Sequence, residues 1–291
     1  MPTKEAIRRE LDFSKNMADI LDVMKQLAQS QFSVSKRIVS NTFAGLVVSF
    51  DRIFELALAL PDKHPLIHAQ CDKIGIIVTT SDQSFMGSLN SKITKKAKET
   101  AGNSPAMFLV CGRKGAMKFK FNHDPFVGFP AIKEGPSMLV LSTELANFII
   151  KEVCEKRLGR VYVVSAESTS FTSQAIRATQ LLPFSEIVKK REIFKAKKIE
   201  GNNLILAESQ TQAFATFTAR LWIRNALFFL FKNNKPAEYS ALATQMEGSF
   251  DNVKKVIGKL NVLYKRARNE KVDASMREIF VSTMVTGGGG G

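Results

Sequence analysis

The sequence has little of what marks secreted, membrane-spanning or disulfide-stabilised proteins. Its three cysteines, Cys71, Cys111 and Cys154, lie far apart, and none belongs to a CxxC pair. This sparse set predicts a reducing compartment and no disulfide framework. No apolar run reaches the length of about 18 residues that a bilayer requires. The charged first residues lack the apolar core of a signal peptide. We therefore expect a soluble protein that could still attach to a membrane through partners.

Recognisable catalytic motifs are also missing. The sequence contains no GxSxG, no HExxH and no GxxxxGK[ST], and it has only three histidines to act as general bases. His64, His68 and Cys71 have a metal-like spacing, but Pro61 and Pro65 interrupt the helix that would align them, and no fourth ligand is evident. We predict no catalytic, cofactor-binding or metal-binding residue, and no cofactor.

Positive charge is what the chain has in excess. It carries 42 Lys and Arg against 27 Asp and Glu, a formal net charge of +15. Such a surplus predicts an acidic partner, which can be nucleic acid, an anionic membrane surface or an acidic protein. The basic residues are spread along predicted helices, and one Trp and three Tyr leave few rings to stack on bases. A basic coiled-coil protein that binds nucleic acid stays open as the alternative function.

The N-terminal segment carries a sustained helical repeat. Steps of four and three from Phe13 reach Met17, Ile20, Met24 and Leu27, and the repeat continues toward Val48. This spacing predicts a coiled-coil seam of about five heptads in a helix over residues 1–62, which the prolines that follow would end.

The C-terminal segment has the same periodicity. The steps run from Tyr239 through Met246, Val256, Leu260 and Leu263 to Met284. We predict C-terminal coiled-coil helices over residues 205–286, with a break at Asn233-Asn-Lys-Pro236 and a flexible glycine tail at 287–291. Two long seams at opposite ends favour a long antiparallel two-helix coiled coil.

The middle of the chain has a different pattern. Strand-length apolar runs alternate with helical patterns at Asn90–Thr100 and Glu144–Leu158; the runs are Ile74–Val78, Met107–Val110, Met138–Leu141 and Val161–Val164. This alternation predicts the α/β class, with a small, mainly parallel, Rossmann-like domain over residues 70–200 inserted between the terminal helices.

Two polar turns in this domain resemble phosphate loops without their chemistry. The stretch TTSDQSFMGSLN after the first strand has only Gly87 and no Walker lysine, so we interpret it as a structural turn that positions the helix at Asn90. Gly112-Arg-Lys-Gly115 lacks the spacing that wraps a phosphate, and we predict a tight turn with solvated charges. A nucleotide-binding enzyme in the inserted domain stays a third hypothesis.

Three stretches of the sequence match one known family. They are Lys15-Asn-Met-Ala-Asp-Ile20; Thr79-Thr-Ser-Asp82 with Gly87 and Leu89-Asn90; and Glu238-Tyr-Ser-Ala241 with Leu263-Tyr264 and Arg266-Ala-Arg268. Together they resemble the gamma subunit of F-type ATP synthases, the central rotor shaft, and the resemblance covers nearly the whole chain. Gln83, Ser84, Phe85 and Met86 depart from the family's usual Arg, Gly, Leu and Cys, which favours a divergent paralogue as an interpretation.

The resemblance implies a function and a set of partners. A gamma subunit is a single-copy, non-catalytic shaft that transmits torque between an ion-driven membrane c-ring and a hexameric ring of alpha and beta subunits, where ATP chemistry takes place. It also implies contact with an epsilon subunit. The expected location is the cytoplasmic face of a bacterial plasma membrane, since no transit peptide is visible. The matrix side of the mitochondrial inner membrane is the second choice.

The resemblance also implies partner-contact residues. Met24 with Lys25, and Arg266 with Arg268, are the candidates for contact with beta. Glu278 begins the C-terminal tip that would lie in an apolar bearing. Packing in the seam or a solvated helix face is the competing explanation for each of them.

Overall fold

The computed structural model describes residues 3–39, 45–46, 50, 64–189 and 211–287. The helices and strands follow one another in this order: α1 (Lys4–Val39), β1 (Ile74–Thr79), α2 (Leu89–Ala101), β2 (Ala106–Cys111), α3 (Arg113–Phe121), β3 (Phe126–Phe129), α4 (Pro136–Cys154), β4 (Arg160–Ser168), β5 (Gln174–Leu182), α5 (Phe184–Lys189) and α6 (Thr211–Gly287). Most of the predicted N-terminal helix beyond Val39 lies outside the described residues, as does the predicted tail after Gly287.

The five strands form one sheet in the order β3-β2-β1-β4-β5. The first four strands are parallel to their neighbours, and β5 runs antiparallel to β4. The protein is therefore a mixed α/β structure with N- and C-terminal helices and a parallel-dominated central sheet, as the sequence predicts. Three of the four predicted runs are strands, namely β1, β2 and β4.

The prediction of a strand at Met138–Leu141 is wrong, because these residues form the start of α4. Met138 and Leu141 are buried, whereas Leu139 and Val140 between them are 45% and 56% exposed. Burial every third residue belongs to a helix, and Pro136 at the first helical turn is favourable because no amide hydrogen bond is lost there.

Alternating side chains of β1 divide the core between two faces of the sheet. Ile76 and Val78 pack with α2 and with Phe119 of α3. Ile77 points the other way, toward α4 and the first half of α6, where Trp222 is fully buried and donates its indole N–H to the carbonyl of Leu181 at 3.0 Å. Helices on both faces explain why every residue of β1 is buried.

The contacts divide the chain into two compact units. One consists of residues 1–28 with 243–291, and the other of residues 29–242, which include the whole sheet. Both α1 and α6 contribute residues to each unit.

Helix α6 is continuous over 77 residues and contains Pro236, so the predicted break at Asn233-Asn-Lys-Pro236 is wrong. An interior proline costs a helix about 3 kcal/mol or more. Here the neighbouring turn is held by tertiary contacts: Asn234 bonds to the backbone of β4, and Ala237 and Ala241 are buried in the core. Packing on both sides of the proline therefore outweighs its local cost.

In the first unit, the buried face of α1 differs from the predicted seam. The buried residues are Ile7, Leu11, Ser14, Ala18 and Ala28. The large apolar residues of the predicted seam are exposed, from 36% at Met17 to 64% at Phe13. The prediction of the seam position is thus wrong, because the packed face of α1 combines Ile7 and Leu11 with the small residues Ser14, Ala18 and Ala28.

Helix α6 packs against α1 in this unit around Leu260. Leu260 is buried with Ile7 and Leu11, and Tyr264 packs against the same cluster. Lys4 Nζ lies 5.9 Å from the ring centroid of Tyr264, whereas Lys25 Nζ lies 5.2 Å from that of Phe250. Residues later in α1 thus contact residues earlier in α6, as in an antiparallel pair of helices. Two predicted seam positions of α6, Val256 and Leu263, are 43% and 44% exposed.

Candidate interaction surfaces

The turn after β1 is held by hydrogen bonds within the protein. Thr80 Oγ1 donates to the carbonyl of Cys111 at 2.6 Å and accepts the amide of Gly115 at 3.0 Å. The amide of Ser81 donates to Asn90 Oδ1 at 3.2 Å, which ties the turn to α2. Asp82 Oδ1 accepts the amide of Arg113 at 2.6 Å. The amides that a phosphate would need at the start of α3 are therefore bonded to protein oxygens.

The prediction of a tight turn at Gly112-Arg-Lys-Gly115 is wrong, because α3 begins at Arg113. Gly112 has a φ of 90°, which favours glycine. A Cβ atom at Gly115 would lie 2.2 Å from Thr80 Oγ1, so glycine permits this close approach. Both glycines serve the packing of α3 against the turn.

A side chain of α6 occupies the crevice where doubly wound folds bind ligands. That crevice lies at the carboxyl ends of β1 and β4, where the strand order reverses. Asn234 Oδ1 accepts the amide of Ala166 at 2.9 Å and lies 3.3 Å from Thr79 Oγ1. Its amide nitrogen donates to Glu238 Oε1 at 2.7 Å. The crevice thus serves to anchor α6 to the sheet.

A buried ion pair extends this anchor. Lys235 Nζ donates to Glu238 Oε2 at 2.7 Å, and both side chains are at least nine-tenths buried. Burial raises the pKa of Glu238, although Lys235 and Asn234 act in the opposite direction. The carboxylate is satisfied by two partners, which makes the pair costly to break from one side.

The predicted partner-contact residues all lie in the first unit. Met24 is 37% exposed. Lys25 is partly covered, forms an ion pair with Asp22 at 3.2 Å and lies over the ring of Phe250. Arg266, Arg268 and Glu278 are exposed. The structure brings Lys25 into an internal contact and leaves the two arginines and Glu278 facing solvent.

The same unit exposes two apolar surfaces that extend beyond the residues predicted for contact. The apolar stripe of α1 comprises Phe13, Met17, Ile20, Val23, Met24 and Leu27. The apolar patch of α6 comprises Val272, Met276, Ile279, Phe280 and Val281. The helical repeat identifies the stripe itself, but only the structure shows that α6 does not cover it. Exposed apolar surfaces of this size indicate protein–protein contact.

Neither a membrane span nor a metal cluster is found in the described part of the chain. No helix there is both long and apolar enough to cross a bilayer. In the same residues, no group of three or more His, Cys, Asp or Glu side chains could hold a metal ion.

Comparison with known proteins gives the family. A family model described as ATP synthase matches residues 3–283. A relative named ATP synthase gamma chain from Bdellovibrio bacteriovorus is 23% identical over 289 residues, covering 96% of this chain and 97% of the relative. Another, from Halothermothrix orenii, is 25% identical over 284 residues with the same coverage. The chain belongs to the ATP synthase gamma family. The family prediction is thus confirmed, and the nucleic-acid alternative has no support.

Solved structures share the fold of this gamma-family chain. A chain in the cryo-EM structure of the Euglena gracilis mitochondrial ATP synthase, OSCP/F1/c-ring, rotational state 3, has a TM-score of 0.65 and 19% identity, covering 99% of this chain and 96% of that chain. A chain of the E. gracilis rotor, rotational state 1, has a TM-score of 0.61 and 17% identity, covering 92% and 98%. Gamma chains are non-catalytic subunits, so the chain is not an enzyme on its own.

Proposed function

We propose that this chain is the central stalk subunit of a rotary ATP synthase. It transmits torque between an ion-driven c-ring in the membrane and a ring of alpha and beta subunits that carries out ATP chemistry. The observation that carries the proposal is the family match over residues 3–283, together with relatives that align over nearly their full length. The similar solved chains come from ATP synthase assemblies, one of them titled as a rotor.

The first unit is suited to serve as the shaft. We propose that the described residues of this unit, 3–28 and 243–287, build an antiparallel coiled coil and that the sheet-bearing residues 64–189 belong to the inserted domain. The opposite order of contacts, Lys4 with Tyr264 and Lys25 with Phe250, supports the antiparallel arrangement. The small buried residues Ser14, Ala18 and Ala28 permit close approach of the helices.

The exposed surfaces of the shaft supply contacts to the ring. The apolar stripe of α1 packs against alpha and beta, and the apolar patch of α6, together with Glu278, lies in the bearing at the tip. Arg266 and Arg268 contact acidic groups of beta, since both are exposed cations on a chain with a net charge of +15. A single asymmetric shaft favours a different conformation in each beta subunit, which is how rotation reaches the catalytic sites.

The remaining partners belong to the foot of the stalk. We infer that the second unit contacts an epsilon subunit and the c-ring, with one copy of the chain per complex. The complex would lie on the cytoplasmic face of a bacterial plasma membrane, because the relatives with full coverage include bacterial gamma chains.

Co-expression with the alpha and beta subunits of the same organism tests the function. We expect a tagged chain to co-purify with both subunits and the complex to hydrolyse ATP. Alpha and beta without the chain are the control, and we expect them to show lower turnover. A chain that folds but never enters an ATP-hydrolysing complex would refute the proposal.

Replacement of Arg268 tests the contact with beta. We expect Arg268→Ala to lower ATP turnover of the assembled complex about tenfold, because a charge-assisted hydrogen bond that the interface with beta covers contributes on the order of 1.5 kcal/mol. The amount of assembled complex should change little. Lys95→Ala, which removes an exposed cation from α2, is the control and should leave both measurements unchanged. An assembly defect as large as the loss of turnover would assign Arg268 to packing.

A further inference from the structure

A cavity of about 420 Å³ lies in the second unit, between three helices. The end of α1, the start of α4 and the middle of α6 line it. Val34, Met138 and Phe228 provide apolar walls. The volume lies within the range of about 300–1,000 Å³ that is usual for small-molecule sites, which are mostly apolar with a few polar groups.

The polar groups that line the cavity are mostly paired with each other. Lys235 is bonded to Glu238, so its charge is neutralised. Glu134 accepts a hydrogen bond from the hydroxyl of Tyr239. Burial and then this carboxylate raise the pKa of Tyr239, which keeps the phenol protonated as a donor. The Lys235–Glu238 pair is neutral, whereas the carboxylate of Glu134 has a neutral donor in Tyr239.

Lys232 is the exception among the ionisable groups that line the cavity. Its Nζ lies 5.9 Å from the ring centroid of Phe228, and no carboxylate in the described residues lies within salt-bridge distance of it. The cavity thus combines an apolar interior with one cation, Lys232, that forms no direct ion pair within the described residues.

We propose that this cavity binds a small amphipathic anion, with an apolar or aromatic body against Val34, Met138 and Phe228 and one carboxylate or sulfonate on Lys232. Apolar area and a single charge-assisted hydrogen bond would provide the binding free energy. A dianion would find no second free cation among the described lining residues, so a single negative charge fits best. The ligand would touch α1, α4 and α6 together and would stabilise their packing in proportion to its occupancy.

Calorimetric titration of the full chain with 2-naphthoate tests the site. We expect one ligand per chain and a rise in Tm at saturating ligand. The neutral analogue 2-naphthalenemethanol should bind about tenfold more weakly, because it lacks the charge that Lys232 recognises. Equal binding of both compounds would overturn the assignment of an anion.

Two variants locate the ligand. Lys232→Gln should weaken 2-naphthoate binding about tenfold and leave the neutral analogue unchanged, since it removes only the charge. Val34→Trp should weaken binding of both compounds at least tenfold, because the larger side chain fills the mouth of the cavity. Val34 is 57% exposed, so this change should not unfold the chain.

Matched changes elsewhere on α6 are the controls. Lys259→Gln removes an exposed lysine and Val262→Trp enlarges an exposed valine, and we expect both to bind 2-naphthoate like the original chain. If Lys232→Gln and Val34→Trp also bind it like the original chain, the ligand lies on another apolar surface and the proposal is wrong. These titrations need no partner subunit, so their failure would leave the proposed function untouched.

Discussion

At the scale of single residues, Asn234 fills the crevice at the carboxyl ends of β1 and β4 and so anchors α6 to the sheet. Its carbonyl oxygen accepts the amide of Ala166, and its nitrogen donates to Glu238. A doubly wound sheet offers its ligand site at this crevice, and a side chain from α6 now takes the hydrogen bonds. The residue is fully buried, so every one of these bonds forms away from water. The crevice thus holds a helix in place, which suits a subunit without chemistry of its own.

Removal of this side chain should be costly. We expect Asn234→Ala to lower the free energy of unfolding by about 2–3 kcal/mol, because the buried amide of Ala166 loses its side-chain acceptor. Urea unfolding at neutral pH measures the effect. Asn252→Ala, at an exposed position of the same helix, should stay within about 0.5 kcal/mol. Equal effects of the two changes would show that the anchor contributes nothing.

The bridge between Glu152 and Arg157 should give the stability a pH dependence. Arg157 donates Nε to Glu152 Oε2 at 2.6 Å and a terminal nitrogen to Oε1 at 2.5 Å, and this hydrogen bonding lowers the pKa of Glu152 below its ordinary value of 4.5. A lowered pKa in the folded state adds stability above the ordinary value and loses it as pH falls through the lowered value.

Arg157→Gln should therefore destabilise the chain at pH 7, and the difference from the original chain should shrink as the pH falls below 4.5. Urea unfolding across this range measures it. Arg177→Gln is the control, because its bridge to Glu167 is solvent-exposed on both sides and such pairs contribute little. A difference that stays constant down to acidic pH would contradict the account.

At the scale of elements, the terminal helices show which structural features the sequence pattern predicts and which it does not. The four-and-three repeat correctly indicates long helices at the two ends of the chain, because a helical repeat of this length is hard to mistake. It does not say which face packs. Side-chain size selects Phe13 and Leu27, whereas the residues of α1 that are buried in this unit include Ser14, Ala18 and Ala28. The large residues are left on the outside, where a partner covers them.

A pair of adjacent substitutions distinguishes the two faces. We expect Ala28→Leu to cost about 1–3 kcal/mol of unfolding free energy, because Ala28 is 1% exposed and the added atoms overpack the interface. Leu27→Ala, one residue earlier and 57% exposed, should change stability by less than about 0.5 kcal/mol. Chemical unfolding of the isolated chain measures both, and the reverse order would restore the predicted seam.

In the central domain, the strands whose residues are mostly buried could be predicted from the sequence, whereas strands with mixed burial could not. Apolar runs on both faces identify β1, β2 and β4 because parallel central strands are buried on both sides. Strand β5 lies at the sheet edge, and only its last two residues are buried, so it has no apolar run from which to predict it. Met138–Leu141 were wrongly predicted as a strand, because four consecutive apolar residues are compatible with a strand or a helix. The bond between Thr79 and Asn234 joins residues 155 apart, and no local pattern carries it.

At the scale of the whole molecule, two properties agree with a role inside a larger assembly. The net charge of +15 suits acidic partners, and the first unit exposes a continuous apolar stripe on α1. Monomeric soluble proteins rarely expose apolar surfaces of this kind, because leaving them in water is unfavourable. The second unit, by contrast, buries the residues at its sheet crevice and satisfies their polar groups. The apolar stripe of the first unit is therefore a surface that a partner can cover.

The double change Ile20→Ser with Val23→Ser should separate assembly from folding. Both residues are exposed, at 57% and 63%, so the isolated chain should keep its unfolding free energy within about 1 kcal/mol. Co-expressed with alpha and beta subunits, it should give several-fold less complex, because the stripe loses the apolar area that its partner buries. Val140→Ser, which changes a residue 56% exposed on α4, is the control and should assemble normally. If the double variant loses stability before any partner is added, the stripe packs within the chain itself, and its role as the surface facing the ring fails.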